Sequence, residues 1–124
     1  MAGRPRVLLI GLDPAIVDYA RWPMLTPAKI HAALNQAVEA LAAEGYDAEI
    51  LLIEEPETGA ETLRAALEAA PADAVMIGAG VRADDTRLLL FERLINVIHE
   101  TAPSARICFN SFPTDTVAAV KRWV

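Results

Sequence analysis

The sequence predicts an α/β domain: a doubly wound, four-stranded parallel sheet in the order 2-1-3-4, with helices on both faces. Three observations lead there. Short runs that are apolar at consecutive positions alternate four times with longer segments of helical period. Unbroken apolar runs belong to strands covered on both faces. Four helices reached by right-handed crossovers can then cover the two faces in pairs.

The first strand is Val7, Leu8, Leu9 and Ile10, stopped by Gly11. The first helix opens at Thr26-Pro27, an N-cap followed by a proline whose missing N–H costs nothing in the first turn. Ile30, Leu34, Val38 and Leu41 follow at helical spacing, and Gly45 is the natural stop. Ile50 to Ile53 form the second strand, ended by Glu54, Glu55 and Pro56. Thr58 and Glu61 have capping-box spacing ahead of Leu63, Leu67 and Ala70, and Pro71 ends that second helix. The third strand is Ala74 to Ile77, ended by Gly78. A third helix is expected from Asp84 or Asp85 to about Thr101, with Phe91, Leu94, Ile95 and Ile98 as its inner stripe. Ile107, Cys108 and Phe109 make a weaker fourth strand, ended by Asn110. A last helix, capped near Thr114 with Asp115 in its first turn, carries Val117, Val120 and Val124.

Composition limits the function. The 124 residues hold 11 Lys and Arg against 17 Asp and Glu, a net charge of −6, and 54% are hydrophobic. One domain of this length can bury a core unaided, and the apolar content argues against disorder. No basic stripe offers an electrostatic footprint, so no nucleic-acid partner is expected. No apolar run approaches the ~20 residues that span a bilayer, so no membrane partner is expected. Met1 to Arg6 lead into a strand pattern rather than a signal peptide, and the cytoplasm is the expected compartment. The single cysteine, Cys108, allows no internal disulfide and reads as core.

In open α/β sheets ligands bind outside the carboxyl ends of the strands, where the strand order reverses. In the predicted order that place lies between the first and third strands, beside the segments Gly11 to Leu25, Gly78 to Asp85 and Asn110 to Thr114. The first is about a dozen residues long, whereas such loops usually take ~2 to 6. Its Trp22 can close the crevice as a lid, or it can pack with Ile16, Tyr19 and Leu25 on the sheet end or a second subunit. Asp13 is a carboxylate at the tip of the first strand, and Asp13-Pro14 is also an ordinary turn opener. Gly78-Ala79-Gly80-Val81-Arg82-Ala83 has the form G-x-G-x-x-A, but it follows the third strand and runs into Asp84 and Asp85, whose charges repel a pyrophosphate. Gly80 permits close backbone approach. Arg82 suits a carboxylate or monophosphate, or else a salt bridge to Asp13 or Asp84. Asn110 can bond a ligand or tie the third and fourth loops together. The candidate ligand-binding residues are therefore Asp13, Trp22, Gly80, Arg82 and Asn110, for a small polar or anionic ligand. No cofactor is expected. The one arrangement open to Mg²⁺ is Asp13 with Asp84 and Asp85, two of which already suit capping. His31 and His99 lie away from this edge.

The layout resembles the flavodoxin-like superfamily and, in size, the receiver domains of bacterial response regulators. Asp13 can stand at the receivers' acidic position, but Ile77-Gly78 occupies the end of the third strand where their phospho-accepting aspartate would be, and no fifth strand brings their lysine. Gly11-Leu12-Asp13-Pro14-Ala15 lacks the hydroxyls with which flavodoxins hold the FMN phosphate. "VMIGAGVR", "FNSFPTDT" and the Ala-rich helices resemble a small bacterial flavodoxin-like family, a likeness that implies no activity. Three functions are consistent with the sequence: a small-molecule-binding or regulatory domain, a Mg²⁺-assisted hydrolase or phosphoryl-transfer enzyme, and an interaction module without a small ligand. The consecutive apolar residues Leu88, Leu89, Leu90 and Phe91 put more than one greasy face on the third helix, from which a homodimer through that helix is expected.

Overall fold

The computed structural model describes residues 3–124. Met1, where the expected lead-in to the first strand begins, lies outside them. The strands are β1 (Arg6–Leu12), β2 (Asp47–Ile53), β3 (Ala74–Ile77) and β4 (Arg106–Phe109). The helices are α1 (Pro27–Ala43), α2 (Gly59–Ala69), α3 (Ala79–Arg82), α4 (Leu88–Thr101) and α5 (Thr116–Lys121). All strand pairs are parallel and the sheet order is β2-β1-β3-β4. The predicted doubly wound architecture is the observed one.

Alternation along the strands divides the core. Leu8, Ile10 and Leu12 of β1, with Ile53, Val75 and Ile77, pack under Leu63 and Leu67 of α2 and Leu90, Leu94, Val97 and Ile98 of α4. Val7 and Leu9, with Ala74, Met76 and Cys108, face Ala37 and Leu41 of α1 and Val120 of α5. Burial pushes the Cys108 thiol pKa up, as befits a core cysteine. Gly45 ends α1 as expected: its φ of 93° is the left-handed region, which a side chain would strain.

Several boundaries differ from expectation. β1 continues through Gly11 to Leu12, which pairs with Ile53. β2 starts at Asp47 and is exposed at Asp47 and Glu49, because it is an edge strand with a neighbour on one side only. Thr58 makes no side-chain cap; its carbonyl instead accepts from the Thr62 amide and hydroxyl. The glycine-rich stretch after β3 forms the short helix α3 and places Val81 in the core. Asp84 caps a 3₁₀ turn at Asp85–Arg87, so α4 begins only at Leu88.

The inner stripe of α4 is also rotated. Leu90, Leu94, Val97 and Ile98 are buried, while Phe91 and Ile95 are half-buried. α4 packs on α2 as well as on the sheet, so its buried arc turns toward α2. A Cβ on Gly59 of α2 would lie 3.0 Å from Leu90 Cδ1, which shows how closely the two helices meet. Phe91 turns its edge to Phe109, with ring centroids 5.8 Å apart. The expected dimer helix is corrected accordingly: Leu90 is 4% exposed and Phe91 half-buried, whereas Leu88 and Leu89 are each 58% exposed. No helix among the described residues is long and apolar enough to cross a membrane.

Candidate functional site

The strand order reverses between β1 and β3. Loops after β1, β3 and β4 meet beyond the carboxyl edge there, and polar contacts brace them against one another. Each contact can be traced to a residue of the sequence.

Asp13 follows β1 directly. Its amide donates to the Ile53 carbonyl at 2.9 Å, which aligns the loop start with the end of β2. Its carboxylate accepts from the Ala15 amide at 2.8 Å and caps a 3₁₀ turn over Pro14–Ile16. The turn-opening role of Asp-Pro is therefore present, and only one carboxylate oxygen is used in it. Asp18 caps the next turn by accepting from the Ala20 and Arg21 amides, and the Tyr19 hydroxyl donates to the Pro14 carbonyl. Trp22 follows, 41% exposed.

Arg21 forks this loop onto the one after β3: Nη1 reaches Asp84 Oδ1 at 3.2 Å and Nη2 reaches Asp85 Oδ1 at 3.1 Å. Arg87 reaches back to the Ile16 carbonyl at 3.0 Å. Asp84 is 7% exposed and also accepts from the Thr86 hydroxyl at 2.6 Å and amide at 2.9 Å. The Thr86 hydroxyl holds its pKa below the ordinary carboxylate value against the opposing effect of burial, helped by the Thr86 amide and then by Arg21 and Arg87. Because the folded pKa is lowered, the stabilisation is complete above the ordinary value of 3.8 and is lost as the pH falls through the lower folded value. Asp84→Asn keeps the capping shape but not the charge. The variant is expected to melt a few degrees below the native protein at neutral pH, with the gap closing in strong acid; a gap independent of pH would refute the assignment.

Asn110 joins the third and fourth loops. Oδ1 accepts from the Ala79 amide and Nδ2 donates to Thr116 Oγ1, both at 3.0 Å. The Thr116 hydroxyl in turn donates to the Pro113 carbonyl at 2.8 Å. Arg82 Nη2 donates to the Asn110 carbonyl, and the guanidinium carbon sits 5.7 Å from the centre of the Phe109 ring. The salt bridge expected from Arg82 to Asp13 or Asp84 is thus replaced: the main chain of Asn110 takes Arg82, and Arg21 takes Asp84. At the start of α5, Asp115 accepts from the Ser111 and Phe112 amides, while Thr114 is exposed.

Of the five nominated residues, Arg82 and Asn110 are brought together and serve as braces. Asp13 is half-buried, and a Cβ at Gly80 would meet nothing within 4 Å. Among the described residues no three of His, Cys, Asp and Glu come together to hold a metal ion, so Asp13 does not join Asp84 and Asp85 in such a group. His31 and His99 are exposed on α1 and α4. Arg87 and Thr116 are the bracing residues without a signal in the sequence, since each reads as an ordinary position near a helix start. Arg21 lies within the long segment Gly11 to Leu25, but nothing in the sequence points to its partners, 63 and 64 residues away. Comparison of the chain with models of known families, with curated proteins and with solved structures finds no match.

Proposed function

We propose that this chain binds a small polar ligand at the carboxyl edge of the sheet, over the reversal between β1 and β3. The observation that carries this reading is the order β2-β1-β3-β4, since ligands of open α/β sheets sit outside the carboxyl ends at that reversal. Braced loops support it, because a site held in shape beforehand spends less binding energy on ordering.

The class of ligand follows from which groups are free. Arg21, Arg82 and Arg87 are each bonded to the protein itself, which weakens the case for an anion. One Asp13 oxygen accepts no protein hydrogen bond among the described residues, Gly80 leaves room for close approach, and Trp22 offers an apolar face. These groups fit a molecule that donates hydrogen bonds to Asp13 and lays an apolar surface on Trp22. The role is binding rather than catalysis, since neither histidine lies at this edge and Cys108 is in the core.

Native mass spectrometry of the freshly purified protein tests the proposal. A non-covalent small molecule is expected on the native chain and is expected to be lost from both Asp13→Asn and Trp22→Ala, with their thermal midpoints little changed. Equal retention by the two variants would exclude this site.

A further inference from the structure

We propose that residues 18–25 form a hinged flap over the carboxyl edge and that Arg21 is its latch, whose release opens the edge between β1 and β3; this rests on the ligand site proposed above and concerns how that site is entered.

The loop after β1 has a fixed stem and a loose outer part. In the stem Pro14 is buried, Ile16 and Val17 pack against the core, and Arg87 holds the Ile16 carbonyl. At the far end Thr26 caps α1 by accepting from the Lys29 amide at 3.2 Å. Between these anchors burial is lost, and residues 20–29 are all exposed. Local bonds fold the outer part on itself: the Trp22 amide donates to the Asp18 carbonyl at 3.1 Å and the Leu25 amide to the Trp22 carbonyl at 3.0 Å. Val17 and Thr26, on either side, are extended, with ψ of 136° and 158°. A turned segment between two extended residues can swing as a unit, because a few loop or element-terminal positions absorb the backbone change of a hinge.

Arg21 is what fastens it. Tyr19 bonds the stem and Lys29 bonds Met24, both at the ends of the loop itself. Among the described residues, the hydrogen bonds and salt bridges that tie residues 18–25 to any other part of the chain are the two of the Arg21 fork, on Asp84 and Asp85. The two sides of this latch are built differently. Asp84 is buried and keeps its place without Arg21, because the Thr86 hydroxyl and amide hold its carboxylate. The Arg21 and Asp85 side chains are 42% and 85% exposed, so water and salt compete for their pairing. The catch is thus preformed and the arm is easily freed. Arg21 comes from the loop after β1 and its partners from the loop after β3, so the closed fork spans the place where the strand order reverses. Trp22 is its neighbour in the chain and travels with it.

Acrylamide quenching of Trp22 fluorescence in protein freed of small molecules by dialysis tests the latch. Trp123→Phe is present in every sample, which leaves Trp22 as the one tryptophan. From about 0.01 M to about 1 M sodium chloride the screening length falls from about 30 Å to about 3 Å, and the quenching constant is expected to rise about twofold as Trp22 leaves its 41% exposed closed position. Arg21→Ala is expected to show the high value already at the lowest salt, with no further rise. So is Arg21→Asp, which faces Asp84 and Asp85 with a like charge. A quenching constant independent of salt with Arg21 present, or Arg21→Ala no more quenched than the parent at low salt, would each overturn the proposal. Circular dichroism shows whether the variants remain folded, and the salt series with Arg21 in place needs no change at the latch. The latch and the ligand fail separately: a flap that does not open leaves Trp22 shielded here, whereas a missing ligand shows in the mass spectrum and leaves the quenching unchanged.

Discussion

Asn110→Ala is expected to destabilise the folded chain by about 2 kcal/mol, because it leaves the Ala79 amide without a partner and takes one of two partners from the Thr116 hydroxyl. Among the described residues the Asn110 amide is the one group that bonds both the start of α3, at the Ala79 amide, and the start of α5, at Thr116. The residue is 6% exposed, so water does not readily replace either bond. A buried donor left unpaired costs about 1–3 kcal/mol, and the Ala79 amide becomes one here, while the Thr116 hydroxyl keeps its bond to the Pro113 carbonyl. The loss will appear as a lower urea midpoint with an unchanged slope. A fall of less than about 1 kcal/mol would mean that the β3 and β4 loops are held by something else.

Leu94→Ala is expected to cost about 4 kcal/mol and to lower the thermal midpoint by roughly 15 °C. Leu94 is 0% exposed and lies where α4 meets both the sheet and α2, in the same cluster as Ile53, Leu63 and Ile77. Truncation removes its transfer energy and leaves a cavity that tightly packed neighbours fill poorly. Domains are stable by only about 5–15 kcal/mol, so the variant gives up a large share. A loss at Leu94 below about 1 kcal/mol would contradict its place in the buried arc of α4, to which both the sequence stripe and the structure assign it.

These two positions show what was legible in the sequence. Val7 to Ile10 and Ala74 to Ile77 declared themselves as central strands, because cover on both faces requires apolar residues at consecutive positions. From four strands alternating with helices, the sheet order and the place of the reversal followed. Helix starts were harder to read. Asp84 satisfied the rules for a helix cap and capped a 3₁₀ turn instead, which delayed α4 to Leu88. Period alone placed Phe91 on the inner stripe of α4, since nothing in the local pattern reveals that α2 pulls the buried arc toward Leu90 and Val97.

At the candidate site the sequence located the segments better than it paired the residues. Asn110 was read as either a ligand contact or a tie between loops, and it is the tie. By its sequence Arg82 suits a carboxylate or monophosphate ligand, or a salt bridge to Asp13 or Asp84; it pairs with a carbonyl instead, because a main-chain acceptor has no residue type by which it can be recognised. Arg21 forks onto Asp84 and Asp85 across 63 and 64 residues, a separation that no motif encodes. Polar residues near a strand tip thus divide into those that brace the loops and those that remain free, and only the three-dimensional pairing makes the division. Asp13, Gly80 and Trp22 fall on the free side.

A high-resolution crystal structure of the protein as purified tests the central claim most directly. A small molecule with a hydrogen-bond donor on the Asp13 carboxylate and a face against Trp22, beside Gly80, is the predicted result, with Arg82 still on Asn110 and Arg21 still on Asp84. A carboxyl edge that holds no small molecule and is instead sealed by another protein surface over Trp22 and Phe112 would contradict it.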